Sequence, residues 1–233
     1  MSDHYQVPWQ YRLIRPPMKA FFRLLFHILG RIAVTGKEHV PYGRAYIAAI
    51  NHISLFDPPL AASFWPETLE IMGASDVFDK PGQGQILKLY GVIPVHRGDY
   101  DREVMRRTIS VLASGRPLLI APEGGRSHAM AMRRALPGIA YLVEKTAVPV
   151  VPVGLVGTTD DFWQRAKRGE RPHLEMHIGQ PFDLPPVTGA GAARRALRQE
   201  NADLVMRHLA GLLPQEYRGV YAGSAITPTE TGK

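Results

Sequence analysis

The apolar positions along this chain alternate between short runs typical of strands and longer patterns typical of helices. The runs predict strands at 46–50, 69–73, 92–96, 118–121, 148–156 and 173–178. Helices are predicted over 57–65, 83–90, 101–114, 138–146 and 192–213. Since strands that alternate with helices build parallel sheets, we predict an α/β fold with a mostly parallel or mixed central sheet flanked by helices.

Residues 18–34 have a broad apolar helical pattern that a basic residue interrupts at every fourth position. Lys19, Arg23, His27 and Arg31 form one stripe, and no acidic residue joins them. The charges are too closely spaced for a good membrane span. We predict an amphipathic helix that lies in a membrane interface. The alternative is a helix that packs on the core while its basic side chains reach into water.

These patterns divide the chain into three parts. Residues 1–34 form an N-terminal amphipathic membrane-interface segment, and residues 35–221 form a domain large enough to bury a full core. Residues 222–233 are rich in Thr, Ser, Gly and Pro, which predicts a flexible tail. Residues 1–17 are polar with interspersed aromatic residues and arginines, so we expect no secretory signal.

Composition narrows the chemistry and the partners. Cysteine is absent, which excludes disulfides, thiolate metal sites and a cysteine acyl-enzyme. The formal net charge of +7 predicts attraction to polyanions such as anionic membranes, acidic carrier proteins and phosphorylated metabolites. The basic residues are scattered without a nucleic-acid-binding motif, so we expect no nucleic acid partner. We also expect no metal, because His173 and His177 lack a third ligand nearby.

The most informative segment is 51–57, which follows the first predicted strand and contains Asn51, His52 and Asp57. If this loop folds back, the carboxylate of Asp57 can hold one ring nitrogen of His52 and leave the other to accept a proton. The alternative is that Asp57, followed by Pro58, merely caps the next helix while His52 is a turn residue. Ser54 lacks the flanking glycines of a nucleophile elbow, so a serine hydrolase is disfavoured.

A second polar cluster, Glu123 to Ser127, follows the strand at 118–121. Gly124 permits close backbone approach, and Arg126 offers a planar fork for a phosphate. Glu123 could fix that arginine or bind a hydroxyl group. Arg97 follows another strand, so the two arginines predict a phosphate clamp at the edge of the sheet. Taken alone, the cluster is more typical of a tight turn with a surface ion pair.

The order of the motifs resembles the glycerophospholipid acyltransferases, and among them the bacterial 1-acyl-glycerol-3-phosphate acyltransferases. The motifs are Asn-His-x4-Asp from Asn51, Gly-x-Ile-Pro-Val-x-Arg from Gly91, Glu-Gly-x-Arg-Ser from Glu123, and Val-Pro-Val-Val-Pro-Val from Val148. The resemblance covers most of residues 35–221 and implies that they form an acyltransferase domain.

The resemblance implies a role for each matched residue. His52 would be the general base that deprotonates the acceptor hydroxyl, and Asp57 would orient it. The substrate-binding positions would be Asn51, Arg97, Glu123, Gly124, Arg126 and Ser127. Pro152 matches the motif associated with acyl-donor binding or local structure. Gly125 stands where the family usually has threonine, which leaves the acceptor head group open.

The implied reaction moves a fatty acyl group from acyl-CoA or acyl carrier protein to the sn-2 hydroxyl of 1-acyl-glycerol-3-phosphate, giving phosphatidic acid. It requires no cofactor, since the thioester is already activated and needs only a base and an oxyanion site. We expect a peripheral location on the cytoplasmic face of the inner membrane, where an anionic surface attracts the basic chain.

Three alternatives remain. The same chemistry could act on another lysophospholipid or a lyso-ornithine lipid. A thioester hydrolase is possible, but it leaves Arg97 and Arg126 without a purpose. A catalytically silent membrane lipid-binding protein is also possible, although such a protein is expected to have lost His52 or Asp57.

Overall fold

The computed structural model describes residues 5–96, 101–127 and 129–227. Its strands are β1 (Arg31–Thr35), β2 (Ile47–Ile50), β3 (Glu70–Ala74), β4 (Ile93–Val95), β5 (Leu118–Ile120), β6 (Val150–Val156) and β7 (His173–Ile178). They form one seven-stranded sheet in the order β1-β7-β6-β2-β5-β3-β4. All neighbours pair in parallel except β6 and β7, which confirms the predicted fold class.

Helices cover both faces of the sheet. They are α1 (Trp9–Leu29), α2 (Asp57–Phe64), α3 (Gln83–Tyr90), α4 (Arg102–Ala113), α5 (Gly138–Thr146), α6 (Phe162–Lys167) and α7 (Gly191–Gly211). One apolar core includes Phe26 of α1, Phe64 of α2 and Phe162 of α6. The other lies under α4, α5 and α7 and includes Leu142 and Val205. Because both faces are covered, the central strand β6 is a continuous apolar run.

The N-terminal helix differs from its prediction at both ends. It begins at Trp9 and contains Pro16 and Pro17, whereas the predicted pattern began at residue 18. Interior prolines remove backbone donors, so a helix that continues through them is unusual. It ends at Leu29 because Gly30 is extended. A Cβ on Gly30 would lie 2.9 Å from the carbonyl oxygen of Pro172, so the chain needs glycine there.

Residues 31–34, predicted as the end of that helix, belong instead to the edge strand β1. Exposed and half-buried positions alternate along it, and it pairs in parallel with β7. Ile32 and Val34 pack against the core on the α1 side of the sheet. Five residues of alternation are too few to stand out within an apolar helical pattern.

Two residues of the basic stripe, Lys19 and Arg23, donate hydrogen bonds to the protein backbone. The ammonium of Lys19 donates to the carbonyl oxygens of Trp65 and Glu67, and the guanidinium of Arg23 donates to that of Ser63. These carbonyls lie at or just beyond the C-terminal end of α2, where the partial negative charge of the helix favours cations. Helix α1 thus packs on the core, as the alternative had it, but Lys19 and Arg23 bond to backbone carbonyls instead of extending only into water.

The exposed side of α1 is apolar. Trp9, Leu13, Phe21, Leu24 and Ile28 are each more than half exposed, and we call them the apolar stripe. Their spacing places them along one side of the helix. A large exposed apolar patch of this kind is typical of a surface that contacts a membrane or another protein. Among the described residues, no helix has both the length and the apolar character that crossing a bilayer requires.

Candidate active site

The two polar clusters predicted from the sequence lie at the carboxyl edge of the parallel strands, and Thr158, which was not predicted, lies beside them. His52 follows β2, the 123–127 loop follows β5, and Thr158 follows β6. Since β5 and β6 flank β2, these three loops lie side by side, at the edge where open α/β sheets bind ligands. Arg97, the second arginine of the predicted clamp, lies outside the described residues.

His52 and Asp57 are hydrogen-bonded to each other. Nδ1 of His52 lies 3.0 Å from Oδ2 of Asp57, whose side chain is fully buried, and 14% of the His52 side chain is exposed. The same Oδ2 accepts the backbone N–H groups of Ile53 and Ser54, each at 2.7 Å. The loop thus folds back, and the contact through Nδ1 leaves Nε2 of His52 to receive a proton.

Asp57 is the first residue of α2 and not its N-cap. The helix begins after Phe56 and has no side-chain cap, while Pro58 and Pro59 occupy the first turn, where a missing N–H costs little. The alternative in which Asp57 merely caps the helix is therefore wrong. Its carboxylate turns back onto the preceding loop, and Oδ1 accepts a hydrogen bond from the hydroxyl of Thr158.

Glu123 joins the loop after β5 to the loop after β2. Its Oε1 accepts the backbone N–H of His52 at 2.9 Å, and its Oε2 accepts that of Arg133 at 2.8 Å. The N–H of Ser127 donates to the carbonyl oxygen of His52 at 2.7 Å. Burial raises the pKa of Glu123, although the backbone donors at Arg133 and His52 oppose the shift. Glu123 thus fixes main chain, and not Arg126 as one prediction had it.

A cavity of about 360 Å³ lies beside Glu123, and its lining carries three cations, Lys80, Arg126 and Arg133. Asp76 and Glu123 are the carboxylates of the lining. Arg126 therefore lies in a cavity with two other cations, and its predicted contact with a phosphate stays a prediction.

Sequence reasoning missed Lys80 and Arg133. Lys80 lies between β3 and α3, and Arg133 lies in an irregular loop where it donates to the carbonyl oxygen of Gly125 at 2.7 Å. Only the position of Lys80 after a predicted strand could have indicated it.

Gly124 has a φ of +68°, and Leu136 fills the space that a Cβ would need there, so glycine is required at this turn.

Asn51 and Pro152 make contacts that hold the sheet. The buried amide of Asn51 donates to the carbonyl oxygen of Leu155 at 2.9 Å and accepts its N–H at 2.7 Å, which extends the pairing of β2 with β6. Pro152 is buried within β6 beside Ala49, and its carbonyl oxygen accepts the N–H of Gly179 at 2.8 Å. Neither residue lines the basic cavity, and their predicted roles toward substrates stay predictions.

The two serines near His52 are buried and turned toward the backbone. The hydroxyl oxygen of Ser54 accepts the N–H of Phe56, and that of Ser127 accepts the N–H of Ala129, both at 3.3 Å. Within the described part of the chain, neither hydroxyl is hydrogen-bonded to the His52 ring. The arrangement therefore lacks the paired nucleophile and base of a serine acyl-enzyme.

The chain is similar to known acyltransferases over most of its length. A family model described as Acyltransferase matches residues 31–156. The 1-acyl-sn-glycerol-3-phosphate acyltransferase of Borreliella burgdorferi is 28% identical over 170 residues, which are 72% of this chain and 68% of that protein. The lyso-ornithine lipid O-acyltransferase of Pseudomonas aeruginosa is 28% identical over 163 residues, 63% of this chain and 62% of that protein.

A solved structure shares the fold. The crystal structure of the 1-acyl-sn-glycerophosphate (LPA) acyltransferase PlsC from Thermotoga maritima matches with a TM-score of 0.62 at 22% identity. The match covers 85% of this chain and 79% of that one.

Proposed function

We propose that the chain, which belongs to the acyltransferase family, moves a fatty acyl group from acyl-CoA or acyl carrier protein to the sn-2 hydroxyl of 1-acyl-glycerol-3-phosphate. The product is phosphatidic acid, and no cofactor takes part. The observation that carries the proposal is the basic cavity beside the His52 loop, in which Lys80, Arg126 and Arg133 can receive a phosphate.

In the proposed mechanism His52 is the general base. Donation from Nδ1 to Asp57 assigns the tautomer in which Nε2 carries the lone pair. Nε2 takes the proton of the acceptor hydroxyl as its oxygen attacks the thioester carbonyl carbon. The tetrahedral adduct then breaks its C–S bond, and the imidazolium returns the proton to the leaving sulfur. The lack of cysteine and the backbone contacts of Ser54 and Ser127 support direct transfer.

The charge of the cavity favours a phosphate monoester as the acceptor head group. Its three cations face two carboxylates, and the carboxylate of Glu123 is already used by two backbone donors. A lyso-ornithine head group carries an ammonium of its own and gains less from three cations. It is the second candidate, because Gly125 departs from the family's usual threonine and the Pseudomonas aeruginosa relative is named for that substrate.

We propose that the enzyme meets its lipid acceptor at a membrane surface through the apolar stripe of α1. An exposed apolar helix face beside a net charge of +7 fits a peripheral position on an anionic surface. The proposed location is the cytoplasmic face of the inner membrane. Because α1 packs on α2, which begins at Asp57, membrane contact and chemistry occur on adjacent elements.

Mass spectrometry of reaction products tests the proposal. Purified protein and a His52→Ala variant each receive oleoyl-lysophosphatidate, or a lyso-ornithine lipid, with mixed acyl-CoA or acyl carrier protein donors. We expect phosphatidic acid from the wild type alone. Acylated ornithine lipid without phosphatidic acid would select the second candidate, and equal product from the variant would remove His52 as the base.

A further inference from the structure

We propose that Thr158 is a positioning residue for Asp57, and through it for His52. The inference rests on the proposed function, because it assigns Thr158 a part in the same proton transfer. Thr158 lies outside every motif considered in the sequence, two residues after the end of β6. Its side chain is fully buried, and its hydroxyl donates to Oδ1 of Asp57.

The hydrogen bonds of Asp57 come from two directions. Oδ2 receives three donors from residues 52–54, which belong to its own loop and move with it. Oδ1 receives Thr158, which is 101 positions away in the chain. Among the described residues, Thr158 is the donor to Asp57 that comes from outside the 52–57 loop. It therefore fixes the rotation of the carboxylate relative to the sheet.

The backbone that carries Thr158 is itself firmly held. The two hydrogen bonds between the Asn51 amide and Leu155 tie the end of β6 to the end of β2. The N–H of Gly157 donates to the hydroxyl of Tyr217 at 3.0 Å. Such contacts place the hydroxyl of Thr158 on a fixed element, which a positioning residue needs in order to be effective.

Removal of this hydroxyl leaves Oδ1 of a fully buried carboxylate without its donor. An unpaired buried carboxylate oxygen is costly, so Asp57 turns away or binds His52 less well. The interaction of Asp57 with His52 matters most when the imidazole carries the acceptor's proton, which happens in the transition state. The loss should therefore lower kcat and leave the KM values nearly unchanged.

The test compares Thr158→Val with Thr158→Ser and with a matched control, Thr108→Val. Thr108 is also fully buried, and its hydroxyl donates at 2.7 Å to the carbonyl oxygen of Val104 within α4, away from the site. Thermal unfolding first establishes that each variant folds. If the valine variant does not fold, Thr158→Cys takes its place, since a thiol is a much weaker donor.

We expect Thr158→Val to lower kcat about 10- to 100-fold, with KM for both substrates within about twofold. Thr158→Ser should restore most of the rate, and Thr108→Val should leave kcat and both KM values unchanged. In an Asp57→Asn background, Thr158→Val should cause little further loss, because the two residues act together. A folded Thr158→Val enzyme with unchanged kcat, or a loss that simply adds to that of Asp57→Asn, overturns the inference.

A second readout separates failure of this inference from failure of the proposed function. Proton and nitrogen NMR of the His52 ring require no turnover. The Nδ1–H resonance should move upfield in Thr158→Val and stay in place in Thr108→Val, and an unmoved resonance overturns the inference. If wild-type protein acylates no acceptor, the proposed function fails, while the NMR result still decides whether Thr158 positions the pair.

Discussion

Oε1 of Glu123 accepts the backbone N–H of His52 at 2.9 Å, which joins two loops that lie 71 residues apart in sequence. The contact holds the peptide unit of the proposed base, not its ring. Glu123 and the N–H of Ser127 together hold both polar groups of that residue's main chain. The position of His52 at the carboxyl edge of the sheet is thus set by the loop that also carries Arg126.

Replacing Asp57 by Asn should reduce turnover far more than it reduces stability. The amide keeps the size of the side chain but presents an NH2 group where Oδ1 or Oδ2 now accepts donors. We expect kcat to fall about 100- to 10,000-fold, the range associated with general base catalysis. Steady-state kinetics beside a thermal melt checks this, and a loss under threefold in a folded variant would contradict the proposed pair.

Removing a cation from the cavity should weaken binding of the acceptor. Arg126→Ala and Lys80→Ala should each raise the acceptor KM about 10-fold or more, since charge-assisted contacts to phosphate exist in the ground state as well as the transition state. Arg134→Ala is the control, because Arg134 is an exposed arginine paired with Asp203. Equal KM values for all three variants would place the phosphate elsewhere.

Polar substitutions in the apolar stripe should weaken membrane binding without unfolding the enzyme. Phe21→Ser with Leu24→Ser removes two side chains that are 60% and 62% exposed, so the core is unaffected. Sedimentation with anionic vesicles should show severalfold weaker binding. Tyr42→Ser, at a residue 59% exposed outside α1, is the control. Undiminished binding of the double variant would separate α1 from the membrane.

Deletion of residues 1–34 is a poor substitute for those substitutions. It removes part of β1 and also Arg15, whose guanidinium forms two hydrogen bonds to Glu70, at 2.7 and 2.8 Å. Both side chains are almost fully buried, so the deletion leaves a buried carboxylate with fewer partners. Loss of activity would then report a damaged fold.

The Arg15–Glu70 pair should matter to stability in a pH-dependent way. Burial opposes ionisation of Glu70, but Arg15 and Arg116 outweigh it and hold the pKa of Glu70 below its usual value. A depressed carboxylate pKa contributes stability above the unfolded-state pKa, and the contribution is lost as the pH falls through the folded-state pKa. Arg15→Met should therefore destabilise the protein by about 3–5 kcal/mol near neutral pH and by less in acid.

Urea unfolding at neutral and acidic pH measures that difference. Arg106→Met is the control, because Arg106 pairs with Glu103 at an exposed i,i+3 position of α4 and such pairs contribute about 1 kcal/mol or less. A penalty for Arg15→Met that does not shrink in acid would assign it to lost packing.

The elements of this fold were predictable where local sequence decides them. The buried strands and the helices α3 and α5 are bounded by turn residues and have a single consistent period, so the sequence alone locates them. β1 was not separable from the helical pattern before it. The face that α1 turns toward the protein also depends on residues far away in sequence. Lys19 and Arg23 on that face donate to carbonyl oxygens at the end of α2.

The site residues also fall into those that the sequence indicates and those that it does not. The spacing of His52 and Asp57 in one loop and the order of the motifs gave the proposed catalytic pair and the cluster at Glu123. Thr158, Lys80 and Arg133 carry no such pattern. They reach the site because parallel strands end at one edge, and that proximity comes from strand order, which single-sequence patterns leave open.

The amino ends of the parallel strands lie on the opposite side of the sheet from the site. Gly43 and Gly115 lie in turns just before β2 and β5, and nothing lies within 4 Å of the place where a Cβ would stand. A strand the length of β2 separates such turns from the His52 loop by roughly 13 Å. Both glycines have a positive φ, +74° and +81°, so each is kept and the insertion follows it. A short fluorophore-bearing peptide inserted after either glycine should report on the enzyme's orientation at a vesicle without altering its kinetics.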